Sequence, residues 1–200
     1  MKKSILALAL ITASSAATAQ SPNWNKLDVS YLDTDIDVNI GEASFDGFGL
    51  NGSVALSDNW MLFGDYKAVS EDANGASADL DMFSAGAGFY QSVSDNTDMF
   101  ATASVERLEV SGSGGGISAS DSETGFGLGV GVRSMLTSSF ELGGKVDYVN
   151  IDSEDIVRAQ VNAFYYFTDN ISLGLGYEMY RPSDADLDID TLSASFRYAF

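Results

Sequence analysis

Apolar residues recur at every second position through most of this chain. From Gly125 to Arg133, Phe126, Leu128, Val130 and Val132 alternate with Gly125, Gly127, Gly129, Gly131 and Arg133. Further on, Ile171, Leu173, Leu175, Tyr177 and Met179 oppose Ser172, Gly174, Gly176, Glu178 and Tyr180. At the end, Leu192, Ala194, Phe196, Tyr198 and Phe200 oppose Ser193, Ser195, Arg197 and Ala199. Successive side chains of a strand point to opposite faces, so each segment has one oily face and one small or polar face. The pattern predicts ten strands, at roughly 26–34, 46–56, 60–69, 80–92, 98–108, 123–135, 140–150, 156–167, 171–180 and 190–200.

The connections alternate between two kinds. Short ones hold Asp58-Asn59, Asp95-Asn96, Ser138-Ser139 and Asp169-Asn170. Asp and Asn suit tight turns because their side chains bond nearby backbone and tolerate left-handed conformations. The others, 35–45, 70–79, 109–122, 151–155 and 181–189, are expected as longer loops and carry most of the acid. Each pair of strands is therefore a hairpin in an up-and-down meander.

An oily sheet face must meet either a second sheet or lipid. Aromatics gather near the ends of the apolar faces, at Trp60, Tyr66, Tyr148, Tyr165, Tyr177, Tyr198 and Phe200. Rings with an oily body and a polar tip favour the headgroup level of a bilayer. Short turns at one end and long connections at the other, with an even strand count, suit an outer-membrane barrel. The expected fold is all-β, an antiparallel up-and-down transmembrane β-barrel of about ten strands, with eight possible. A soluble periplasmic β-sandwich is the alternative. Met1-Lys2-Lys3, the apolar run Ile5 to Thr12 and Ala17-Thr18-Ala19 form a bacterial secretory signal peptide. Residues 1–19 are thus expected to be removed, leaving 20–200 as a barrel domain in the outer membrane.

The last segment, Leu192 to Phe200, resembles the carboxy-terminal signal of bacterial outer-membrane barrels, with a terminal Phe and aromatics at alternate positions. The resemblance implies recognition by the barrel-assembly machinery through Phe196, Tyr198 and Phe200. The mature chain resembles the small OmpA-like and porin-like barrels, whose partners are outer-membrane lipid and lipopolysaccharide. Asp46-Gly-Phe-Gly-Leu-Asn-Gly-Ser53, with Ser57-Asp-Asn-Trp60 and Phe63-Gly64, resembles small xanthomonad barrel proteins once linked to diffusible signalling.

Charge then narrows the function. The 200 residues hold 10 Lys and Arg against 29 Asp and Glu, with no His and no Cys. The formal charge is −19, and losing Lys2 and Lys3 takes it to −21. Nucleic acid is excluded as a partner, because neutralising phosphates needs clustered cations. Absent Cys excludes disulfides, thiolate zinc and thiol catalysis. Barrel lipases, acyltransferases, deacylases and proteases resemble one another in relying on a catalytic His, so no enzyme and no cofactor is expected here. Gly125 to Gly131 has a period of two and no following helix, so it is not a dinucleotide fingerprint.

Parity divides the charge. Lys26, Lys67, Arg133, Lys145, Arg158 and Arg197 face inward with Asp28, Asp65, Glu106, Glu141, Asp147 and Glu178. Six of each sign suit a salt-bridged plug, because charges in a narrow barrel must be paired. Met61, Phe63, Tyr90, Phe100, Phe164 and Tyr180 also point inward and help to fill the lumen. The alternative is a narrow porin-like channel along Gly86, Gly88, Gly127, Gly129 and Gly174. On the long-connection side, nineteen acids face only Arg107 and Arg181, a net −17. Asp33, Asp35 and Asp37 alternate, as do Asp184, Asp186, Asp188 and Asp190. First and last strands adjoin in a barrel, so the two runs are expected to meet at the outer rim. They are weak candidates for binding Ca²⁺ or Mg²⁺; a solvated acidic extension is the plainer reading. Arg107 lies beside Leu108 to Val110, where the alternation slips, and reads as a bulge, a lipid-phosphate contact or a plain rim residue. The expected role is a monomeric, non-enzymatic barrel with acidic extracellular loops and a largely plugged lumen.

Overall fold

The structure is a computed structural model that describes residues 21–38, 41–73, 76–115, 117–183 and 187–200. The expected signal peptide, 1–19, lies outside the described residues. Ten strands follow in order: β1 Lys26–Val38, β2 Gly41–Ala55, β3 Trp60–Ala73, β4 Ala76–Ser94 and β5 Thr97–Gly114, then β6 Ile117–Thr137, β7 Phe140–Ile151, β8 Glu154–Tyr166, β9 Ile171–Pro182 and β10 Leu187–Ala199. Every strand pairs with its sequence neighbours, and β1 pairs with β10, closing an antiparallel barrel. Closure leaves no second sheet to cover the oily face, so the sandwich alternative falls.

The long connections are not loops. The ladders simply continue: β5 and β6 stay in register from Thr97↔Ser134 to Gly114↔Ile117, and β3 and β4 reach Ala73↔Ala76. Backbone pairing needs no oily face, and the Ser-, Asp- and Gly-rich stretches 70–79 and 109–122 contain no proline to interrupt it. Only their side chains changed from apolar to polar, and the sequence pattern therefore lost them. The 151–155 connection shrinks to the two-residue turn Asp152-Ser153, with φ of 48° and 70°. Two consecutive left-handed residues match the twist of a hairpin, and Asp adopts that region at little cost. At the opposite end the turns are short, and two register shifts lie beside them, at Ser92/Ser94 and Met135/Thr137.

The parity slip at Arg107 is not there. Arg107 pairs with Phe83 and Thr124 in unbroken register. Leu108 points inward because the upper lumen is apolar, which alternation alone could not reveal. There, Leu32, Phe45, Val69 and Leu80 are buried together, packed by Ile36, Ala43, Ala78, Met82 and Leu108. The outward belt is the reverse of a soluble surface: Val130 and Leu175 are both 64 % exposed, and Leu27, Leu128, Leu173 and Phe196 are also exposed. Such a band is stable only against hydrocarbon.

Candidate functional site in the lumen and at the outer rim

The strands bring all twelve expected lumen charges to the inner face, in two tiers. Near the short-turn end, Arg133 grips Glu141 with two bonds of 2.9 and 3.0 Å. Arg197 grips Asp28 the same way, at 2.7 and 2.8 Å, and reaches Glu141 at 3.1 Å. Lys26 adds 2.8 Å to Asp28, and the Tyr166 hydroxyl donates to Glu141 at 2.8 Å. Glu141 is 0 % exposed, so these donors replace all of its water. Paired forks of this kind are the geometry that offsets desolvation. Arg197 also stacks on Phe164, 3.5 Å from the ring centre.

The second tier lies nearer the outer end. Arg158 holds Glu106 through two 3.2 Å bonds and Asp147 at 3.3 Å. Lys145 pairs with Asp147 at 2.7 Å. Lys67 pairs with Glu178, donates to the Tyr180 hydroxyl at 3.2 Å, and lies 3.6 Å from Asp65. Ser84 and Ser104 supply hydroxyls to Glu106 at 3.0 and 2.6 Å. The glycines on the facing strand make room for this tier. A Cβ on Gly127 would lie 2.6 Å from the Glu106 carboxylate, and one on Gly129 would strike Asp147. Gly88 is covered by Met61 and Gly174 by Phe164, while Gly86 lies against the β5 backbone. The expected glycine path is therefore occupied by neighbouring groups. Alongside the tiers a cavity of about 190 Å³ remains, lined from Trp24 and Arg133 at the inner end to Leu32 and Thr191 towards the outer end.

Two features of the floor escaped the sequence reading. Trp24, ahead of β1, tucks into the short-turn end and is buried. It stacks on Tyr90 at 4.8 Å, meets Phe100 edge-on at 5.2 Å, and lies under the Arg133 guanidinium at 4.5 Å. Its indole donates to Asp98 at 2.8 Å. The parity count leaves Asp98 among the acids outside the lumen, beside the short turn Asp95-Asn96. It is 1 % exposed instead, because Trp24 covers it and Ser92 also bonds it. Among the described residues the lumen thus holds seven acids against six cations. No alternation signal marks Trp24, since it precedes the first strand.

At the outer rim the seam forms as β1 and β10 pair: Asp35 lies opposite Asp190, and Asp37 opposite Asp188. Arg181 bonds Asp190 at 2.7 Å and Asp188 at 3.4 Å, so a guanidinium already sits against the β10 run. Asp33, Asp35 and Asp37 are exposed, and Asp184 and Asp186 lie outside the described residues. Among the described residues no group of three or more acids is placed to hold a metal ion.

A repeat also emerges on the outward face, at four of the five hairpins. Tyr31 donates to Asp46, Tyr66 to Asp81 at 2.5 Å, Tyr148 to Asp155 at 2.5 Å, and Tyr177 to Asp190 at 2.9 Å. In each, the Asp is two residues nearer the hairpin tip than the residue facing the Tyr: Phe48, Phe83, Val157 or Leu192. The four pairs form a collar where the oily belt gives way to the acidic extensions. Phenols with an oily ring and a bonded tip fit that boundary.

A closed barrel with an oily outer belt, aromatic rims and a paired polar interior is a membrane-spanning β-barrel. The sequence profile of the outer membrane protein beta-barrel domain matches residues 4–200, and the chain belongs to that family. No curated protein matches the sequence. Among solved structures, the translocator domain of the autotransporter NalP from Neisseria meningitidis is similar, with a TM-score of 0.50 and 10 % identity over 90 % of this chain and 89 % of that one. The transport unit of the autotransporter AIDA-I from Escherichia coli gives 0.50 and 12 %, over 98 % and 94 %. Ail, the attachment invasion locus protein of Yersinia pestis, seen with the heparin analogue sucrose octasulfate, gives 0.47 and 15 %, over 87 % and 97 %. These likenesses concern the fold alone. The protein is an outer-membrane β-barrel protein, and its place is the bacterial outer membrane.

Proposed function

We propose that the protein is a non-enzymatic, monomeric structural or interaction barrel that displays acidic hairpins outside the cell and does not conduct solutes. The observation that carries this reading is the filling of the lumen at successive levels. Trp24 and the Arg133–Glu141–Arg197–Asp28 forks close the inner end. The Arg158–Glu106 tier lies above them, and Leu32, Phe45, Val69 and Leu80 pack at the outer end. Arginine forks engage the lumen carboxylates Asp28, Glu106 and Glu141, which supports a role without chemistry. The outward, exposed Phe196, Tyr198 and Phe200 support recognition by the barrel-assembly machinery during insertion. Planar-bilayer recording tests the main point. The refolded protein should give no stable conductance; a reproducible open step would overturn the closed reading in favour of the narrow channel.

A further inference from the structure

The collar is complete on four hairpins and broken on the fifth. On β5–β6 the place of the tyrosine is taken by Arg107, and the place of the aspartate by Ser122. The register is the same: Arg107 faces Thr124, and Ser122 is two residues nearer the tip. The exchange removes a carboxylate and adds a guanidinium to an acidic rim whose other arginine, Arg181, is engaged by Asp188 and Asp190.

The surroundings suit an amphipathic ligand. On its other side Arg107 faces Phe83, and one step towards the membrane centre lie Val105 and Phe126. All three are exposed on the lipid face. The guanidinium thus lies where hydrocarbon ends and polar groups begin. Both of its bonds among the described residues leave from Nη2, to Glu109 at 3.1 Å and Ser122 at 3.3 Å. Nε and Nη1 have no protein partner among the described residues. The pair with Glu109 is about half exposed on both sides, 52 % and 42 %, and such pairs hold weakly. A guanidinium with free donors beside a hydroxyl is the ordinary recipe for binding phosphate.

We infer that Arg107 and Ser122 form a binding site for the phosphate of an outer-leaflet phosphorylated lipid, whose acyl chains lie along Phe83, Val105 and Phe126. The inference rests on the outer-membrane location, not on the closed lumen; a conductance would sink the latter and leave this site untouched. The site gives the barrel one fixed lipid contact in a rim that otherwise repels anionic headgroups.

The test is retention of lipid by the protein refolded in micelles, read by native mass spectrometry. The probes are bis-phosphorylated lipid A and the same lipid dephosphorylated. The variants are Arg107→Gln, and Arg107→Tyr combined with Ser122→Asp, which installs the pair used by the other four hairpins. Heat-modifiable migration confirms folding, and the double variant carries the test if Arg107→Gln does not fold. Wild type should hold the phosphorylated lipid about tenfold more tightly than either variant, the scale of one charge-assisted bond. That difference should vanish with the dephosphorylated lipid. Equal retention by wild type and folded variants would overturn the site. Displacement of the lipid by millimolar inorganic phosphate would reassign it to free phosphate and overturn the lipid proposal.

Discussion

The lumen and the outer hairpins are built from the same alternating strands, yet they treat charge in opposite ways. Inside, seven acids meet six cations, and Glu141 alone accepts four hydrogen bonds. Outside, among the described residues, a large excess of acids meets only Arg107 and Arg181, and Asp35 faces Asp190 directly across the seam. The difference lies in the solvent. Where water is excluded, a lone carboxylate costs several kcal/mol, about the loss seen when a buried pair is broken. Where water and salt reach the group, like charges are screened within about 8 Å at physiological ionic strength. Alternation tells which face a residue occupies. Pairing tells what that face touches.

The largest effect should come from breaking the interior. Glu141→Ala leaves Arg133 and Arg197 buried without their shared carboxylate and should cost about 3–5 kcal/mol. Urea unfolding in lipid vesicles measures it. The matching change outside, Asp37→Asn, should leave the unfolding midpoint unmoved. Equal losses would dissolve the contrast between the two regions. Next in size is Trp24→Ala, expected to cost about 3 kcal/mol through the cavity it opens. It also strips Asp98 of its indole donor and Arg133 of its ring. The chain has only two tryptophans, which makes a direct reading possible. Brominated lipid should quench Trp60 on the oily belt and spare Trp24; strong quenching of both would place Trp24 outside the lumen.

These two sites also mark how far the sequence could be read. The twelve lumen charges followed from parity, because each lies on a strand whose other face is plainly oily. Glu141 was legible for that reason. Trp24 was not, since it precedes any alternation, and Asp98 was misplaced because its cover is Trp24. The hairpin extensions were hidden for a different reason. Once both faces are polar, period two leaves no trace in hydropathy, although the backbone ladder continues. The collar was hidden more deeply still. Its tyrosines and aspartates are 15, 15, 7 and 13 positions apart, so no single spacing runs through all four. Only the cross-strand register aligns them. That register also turns Arg107 from an oddity into an exception with a position.

A smaller effect is expected at the seam. Arg181→Gln removes the guanidinium between Asp188 and Asp190, both partly open to water. Its cost should stay below about 1 kcal/mol and shrink with added salt, as for other exposed pairs. A salt-independent loss as large as that of Glu141→Ala would mean that the seam behaves like the lumen.

The finest test concerns Asp155, beyond the oily belt near the tip of β7–β8. Its carboxylate accepts from the Tyr148 phenol at 2.5 Å and from the Asn150 amide at 2.7 Å. These donors favour the charged form and hold its pKa below the ordinary 3.8. A carboxyl whose folded value is depressed adds stability at neutral pH. That stability persists above the ordinary value and fades as pH falls through the folded one. Carboxyl carbon NMR should therefore show Asp155 titrating below free aspartate. Tyr148→Phe should move the midpoint up towards 3.8, since the phenol is the first cause of the shift. Amide protection at the hairpin tip should decline over the same acid range, while the lumen stays closed. A midpoint at the ordinary value in the wild type would show that neither bond favours the charged form of this acid.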